Sequence, residues 1–260
     1  MFKILKYSFF DLIRSRWSYV YFLFYLLLSS VLLFLNNDLS KAVITMMNVI
    51  TILVPLIGTI FGIMYYYNSK EFTELLLAQP VKRSSIFIGQ YLGVALSLSM
   101  SLVLGLGIPF ALYGLFQSNE IWDFGLLLVT GTFLTLIFTA FAFNIALYNE
   151  NKIKGFGYAI LLWLFMAVIY DGLFLMSLIL LQSYPLDGLT ISATMFNPID
   201  LSRILILLKL DITALLGYTG AIFQKFFGTN MGLFVSFGSL IMWVTLPLFN
   251  IYRKCMKKDF

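Results

Sequence analysis

The side chains able to do chemistry are few, and their types exclude most reactions. The chain has no histidine and one cysteine, Cys255. Neither a Ser/His nor a Cys/His nucleophile pair can form, and the His-x-x-x-His zinc arrangement of helical metalloproteases is absent. No Gly-x-x-x-x-Gly-Lys-Ser/Thr loop occurs, so the phosphate cradle of a nucleotide hydrolase is missing. A single cysteine also forbids an intrachain disulfide. An intramembrane aspartyl protease needs two acids at bilayer depth, and only Asp171 lies deep in an apolar run. The best soft ligands for Cu(I) are Met46, Met47, Met166 and Met176. On a helix the first two point about 100° apart and the other two about 280°, so they read as gap-fillers, not as a metal path. The expectation is a polypeptide that is not catalytic on its own and holds no metal or cofactor.

What remains are groups suited to binding and coupling, in three places. The first is YYYNSKEFTELLLAQPVKRSSIFIGQYLG, Tyr65 to Gly93, in which Glu71 and Glu74 precede the leucines Leu75 and Leu76. Pro80 ends the short helix by restricting Gln79, Lys82 and Arg83 follow, and Ser84 or Ser85 is placed to cap the next helix. Leucines at the tip of a charged loop need a partner, which is either another protein or the bilayer surface. The second is Asp171. Ionisable groups at that depth are costly and pair inward. No base is evident at its depth, which leaves a hydroxyl, water or another subunit as partner. The third is MFNPIDLSRILILL, where Asn197 caps a helix with Pro198 at its first position. Asp200 sits near the positive helix end, and Arg203 is within ion-pair reach. The apolar remainder of that helix must lie on the membrane or against protein.

The elements that position these groups follow from composition. Hydrophobic residues make up 61% and charged residues 11% of the 260, and mean hydropathy is +0.95. Soluble domains carry about 25% charged residues. Six runs are long enough to cross a hydrocarbon core, at 17–35, 43–67, 88–116, 124–148, 156–182 and 231–252. They are continuous, not alternating, so the class is all-α and integral to the membrane. Gly105, Gly107 and Pro109 predict a kink or break near the end of the third. Gly58 and Gly62 form a Gly-x-x-x-Gly pair in the second. With the N-terminus cytoplasmic, thirteen of the 17 Lys and Arg fall inside, leaving Lys41, Arg203, Lys209 and Lys225 outside. Both termini are therefore expected in the cytoplasm, and the net charge of +5 describes topology instead of nucleic-acid binding. Residues 2–14 read as an amphipathic helix with Phe2, Leu5, Phe9, Leu12 and Ile13 on one side. A plain basic leader to the first span is the other reading. The expected organisation is one transmembrane domain, 1–260, with an interfacial helix at 1–16, a cytoplasmic loop at 68–85 and an outer loop at 183–230 long enough for two short helices.

The loop ELLLAQPVKRSSIFIGQYLG resembles the segment after the second span of type-2 ABC transporter permeases. Glu74, Leu75, Leu76, Pro80, Val81, Arg83 and Gly89 match. Glu71 stands for the family's Gly, Phe72 for its Thr and Gln90 for its Lys. The resemblance implies a coupling helix that docks in a cleft of a cytoplasmic ATPase through Glu71, Glu74, Leu75, Leu76, Pro80 and Arg83. It also implies a homodimer in a bacterial inner membrane, with ATP and Mg held by the ATPase. Asp171 with its surroundings, and the Asn197-Pro198-x-Asp200-x-x-Arg203 run, are similar to the permeases that serve copper-site maturation of nitrous-oxide reductase. That likeness implies a NosF-like ATPase, a NosD-like periplasmic protein contacting Asn197, Pro198, Asp200 and Arg203, and a copper chaperone as a further candidate partner. An exporter of this family moving a lipid-like, peptide or drug substrate, and a membrane scaffold without a transport cycle, are the alternatives.

Overall fold

The structure, a computed structural model, describes residues 1–36, 38–181, 186–209 and 218–257. Among these the chain is helical throughout and no strand occurs. Six helices have the length and apolar composition to cross a membrane. They are α2 (Arg16–Asn36), α3 (Leu39–Asn68), α5 (Arg83–Leu112), α6 (Ile121–Tyr148), a composite fifth span and α12 (Asn230–Lys257). The fifth joins α7 (Lys152–Leu164) to α8 (Tyr170–Leu180) through a π turn at Phe165–Ile169. Five shorter α-helices and a 3-10 turn at Leu115–Gln117 complete the described helices: α1 (Phe2–Ile13), α4 (Lys70–Leu77), α9 (Asp187–Met195), α10 (Pro198–Lys209) and α11 (Tyr218–Phe227). Parts of the expected 183–230 segment (183–185 and 210–217), and Lys258, lie outside the described residues.

Helices α3, α5 and α6 form the centre, and small residues let them approach closely. Lipid tails are as apolar as leucine, so helix association in a bilayer relies on packing and hydrogen bonds. A Cβ on Gly62 would stand 2.8 Å from that of Ala142, so the Gly58/Gly62 pair is where α3 meets α6. Helix α5 carries a longer series at every fourth position: Gly89, Gly93, Ser97, Ser101 and Gly105. Its first members receive α1, because a Cβ on Gly93 would lie 2.6 Å from that of Ser8. Its later members receive α2, through the 3.3 Å contact of the Ser101 and Ser18 hydroxyls and the approach of Gly105 to Tyr25. The flanking helices are barely covered: 61% of the apolar window of α5 is buried, against 11% of the fifth span's.

Two sequence expectations are refined here. Of the kink or break expected near the end of α5, no break occurs: the helix runs continuously to Leu112, and the chain turns at Gly114 (φ 92°). A neighbouring helix supplies the missing donor: the carbonyl that Pro109 leaves without its helical partner, that of Gly105, accepts from the Ser29 hydroxyl of α2 at 3.3 Å. Helix α1 forms as expected, but its buried stripe is Ile4, Ser8 and Leu12. Leu5, Phe9 and Ile13 only flank that stripe, and Phe2 is exposed. The helix is seated on α5 and does more than float at an interface.

Candidate functional site

Functional groups gather at two ends of the bundle. One end carries α1, α4, the α6–α7 turn and the last turn of α12. The Tyr67 hydroxyl donates to the Asn149 carbonyl at 2.6 Å, and the Lys152 ammonium to Asn68 Oδ1 at 3.1 Å. Lys254 lies 4.3 Å over the Tyr148 ring. Here α4 follows α3 with only Ser69 between them and ends at Leu77, before Pro80. Glu71, Glu74, Leu75 and Pro80 are exposed, as is Arg83, while Leu76 is half-buried. Leu75 is 67% exposed, so the helix holds one bare leucine outward between acids. The Lys70–Glu74 pair, 3.9 Å apart and mostly exposed, adds little stability.

The underside of α4 is tied down by residues outside the sequence pattern. Phe72 stacks on Tyr7 of α1 with ring centroids 4.6 Å apart. Buried Thr73 donates to the Ser69 carbonyl and accepts from Gln90 Nε2, both at 2.8 Å. Two positions that depart from the family pattern, Phe72 and Gln90, are therefore the ones that fix α4 to α1 and α5. Gly89, which matches the pattern, supports Ile4: a Cβ there would be 3.2 Å from the isoleucine. The expected cap from Ser84 or Ser85 is not made. Helix α5 begins at Arg83 with Lys82 in the capping position, and Ser85 donates its N–H to the Lys82 carbonyl at 2.9 Å.

At the other end α9 and α10 form a hairpin bent by 113°. Its turn reaches mid-span. Trp243, halfway along α12, donates to the Met195 carbonyl at 3.0 Å, and Asn197 Nδ2 donates to the carbonyl of Met166 in the π turn at 2.8 Å. Asn197 caps α10 as its sequence predicts, accepting from Ile199 N at 3.1 Å. Helix α10 then packs on α3 and α6 with Ile199, Leu201, Leu205 and Ile206 fully buried. Among the described residues, the expected outer loop contains three helices, α9, α10 and α11, one more than expected.

This placement overturns one expectation outright. Asp171 does have a base at its depth: Arg203 Nη1 lies 2.9 Å from Asp171 Oδ2 and 3.5 Å from Asp200 Oδ1. Asn197 also donates to Asp200 Oδ2 at 2.8 Å. Two carboxylates, one guanidinium and one amide close a ring joining the hairpin to the fifth span. Asn197, Pro198 and Asp200 are buried, so a protein docking from outside would not touch them directly. Of the four candidate methionines, Met46 and Met47 are buried in the core, Met166 is partly buried against it, and Met176 is exposed.

No family model matches the chain. Among curated proteins it is similar to the probable ABC transporter permease protein NosY of Stutzerimonas stutzeri, 24% identical over 226 residues. Those residues are 81% of this chain and 78% of the relative. It is also similar to the probable ABC transporter permease protein NosY of Pseudomonas aeruginosa, 26% identical over 220 residues, 78% of this chain and 80% of that one. With six apolar helices of membrane length, the chain is an all-α, multi-pass membrane protein similar to NosY-type ABC transporter permeases over about four fifths of its length.

Proposed function

We propose that the chain is the permease subunit of an ABC transporter, which couples a cytoplasmic, NosF-like ATPase to a periplasmic, NosD-like partner. The service performed is copper and sulfur cofactor maturation of nitrous-oxide reductase. The observation that carries this reading is α4: a short helix with Leu75 and two acids outward, its back fixed by Phe72–Tyr7 and Thr73–Gln90. A helix so mounted passes a push on its tip to α1 and α5 instead of bending away. ATP hydrolysis belongs to the other chain, and this one is non-catalytic. The basic end, with both termini, faces the cytoplasm of a bacterial inner membrane. A periplasm-only reporter fused at the C-terminus stays silent if that orientation holds.

The far hairpin supplies the other half of the device. Asp187 and Gly188, at the start of α9 and away from the mid-span turn, are exposed and form the surface offered to the periplasmic protein. Asn197, Asp200 and Arg203 brace it from within. The homodimer is supported by the fifth span, where neither the π turn nor α8 has a buried residue. Leu75→Asp tests the reading, because burying an unpaired carboxylate in a protein cleft costs several kcal/mol even after relaxation. Co-purification with the cognate ATPase should be lost while the chain still inserts and unfolds at its normal temperature. Full ATPase capture by this variant would overturn the coupling role of α4.

A further inference from the structure

Beneath the coupling helix, where α1, α2, α3 and α4 meet, lies a cavity of about 330 Å³. Its walls include the rings of Tyr7, Trp17, Tyr65 and Phe72, and the single charged residue lining it is Asp11. Asp11 is exposed and has no ion-pair partner among the described residues. The Tyr65 hydroxyl is buried, on a residue only 6% exposed, with Ser8 and Asp11 as its polar neighbours and no hydrogen bond of good geometry to either. Aromatic rings beside a carboxylate that makes no ion pair are complementary to an organic cation. A buried, unpaired hydroxyl beside them supplies a hydrogen-bonding group for an ammonium or its neighbouring oxygen.

A second groove adjoins this cavity on the outer side of α1 and shares Tyr7 and Asp11 with it. Its other walls are Lys3, Lys6, Phe10 and Arg14. Negative charge thus faces the aromatic cavity, and positive charge stands within one helical turn of it. Trp17, 62% exposed at the start of α2, marks the membrane–water boundary at the same level. A ligand with a cation and an anion a few ångströms apart, arriving at bilayer-surface depth, satisfies both sides.

We infer that this paired site binds the zwitterionic headgroup of a phospholipid, with its ammonium against Asp11 and the aromatic rings and its phosphate against Arg14 and the α1 lysines. The lipid is of the phosphatidylethanolamine class, whose small ammonium fits the cavity. Because Phe72 belongs to α4, the headgroup would lie against the coupling helix, and lipid composition would bear on how firmly α4 is seated. The site does not depend on the identity of any partner protein.

The test uses the full chain in detergent with phosphatidylethanolamine and phosphatidylglycerol in equal amounts, and counts retained lipids by native mass spectrometry. Wild type should retain phosphatidylethanolamine in preference to phosphatidylglycerol. Asp11→Asn, a change at an exposed position, should lower phosphatidylethanolamine retention about tenfold and leave phosphatidylglycerol unchanged. Asp11→Glu should restore it. Equal retention by wild type and Asp11→Asn would overturn the proposal, and so would a wild-type preference for phosphatidylglycerol. Displacement by soluble phosphoethanolamine as readily as by the lipid would assign the site to a free zwitterion instead. Loss of ATPase capture by Asp11→Asn, with lipid retention intact, would give the cavity to a basic side chain of the partner.

Discussion

The α4 region and the α9–α10 hairpin look alike as strings: acids, a proline, an arginine and a run of leucine and isoleucine. In the folded chain they do opposite things. Helix α4 turns its acids and Leu75 outward and hides a threonine. The hairpin turns its leucines, Asn197 and Asp200 inward, and closes an ion-pair ring on the fifth span. The difference lies in what the bundle offers on each side. At the basic end, α1 already covers α5, so α4 can only perch on top. At the other end, α3 and α6 present an uncovered face, and an apolar helix gains more by sinking onto it than by lying on the membrane. An outward motif is available to a partner, whereas an inward one sets the geometry of what carries it.

This contrast can be broken most forcefully at Arg203. Arg203→Ala leaves two neighbouring carboxylates without their cation and should destabilise the detergent-solubilised chain by about 3 kcal/mol, read as a drop in unfolding temperature. Asp171→Asn removes one of the two acids and should cost less than half of that. A neutral Arg203→Ala would mean that the ring is not holding the hairpin.

At the basic end the largest effect is expected from Gly93→Ala, since the new methyl meets Ser8 at 2.6 Å and backbone atoms of α1 at 2.9 Å. About 2 kcal/mol should be lost as α1 is displaced, with faster proteolysis before Arg14. Gly107→Ala is its control: nothing lies within 4 Å, so helix propensity alone acts and stability should hold or rise by up to about 1 kcal/mol. Gln90→Ala is subtler. Loss of its bond to Thr73 should cost about 1 kcal/mol. The clearer readout is ATPase stimulation, which should fall by more than this small loss of stability explains. If stimulation is unchanged, α4 is held by the Tyr7–Phe72 stack alone.

How much of this was visible in the residues depends on the range of the cause. The spans follow from continuous hydropathy, and α4 from leucines between acids and Pro80; both are local. The cap at Asn197 is local too. The pairing of Asp171 with Arg203 is not, because it requires a loop to fold back into the bundle. An apolar helix such as α10 has the same composition whether it covers lipid or protein. The Gly89-to-Gly105 series was legible in its fourfold spacing, yet glycine is common in membrane helices and its meaning emerges only with α1 and α2 in place. Gln90 reads as a departure from a pattern until Thr73 is seen beneath α4.

The π turn at Phe165–Ile169 has a geometric consequence for the fifth span. One turn of that kind absorbs an extra residue without extra rotation, so everything after it is set back by about 100° relative to an unbroken α-helix. Asp171 accordingly occupies the azimuth that Tyr170 would otherwise hold, which is the bearing of Arg203. The turn acts as a phase offset between the two halves of one helix. Were it to straighten, the carboxylate would swing away from its guanidinium and the Met166 carbonyl would withdraw from Asn197 together. A single change of helical pitch would thus unclip the hairpin at two points at once.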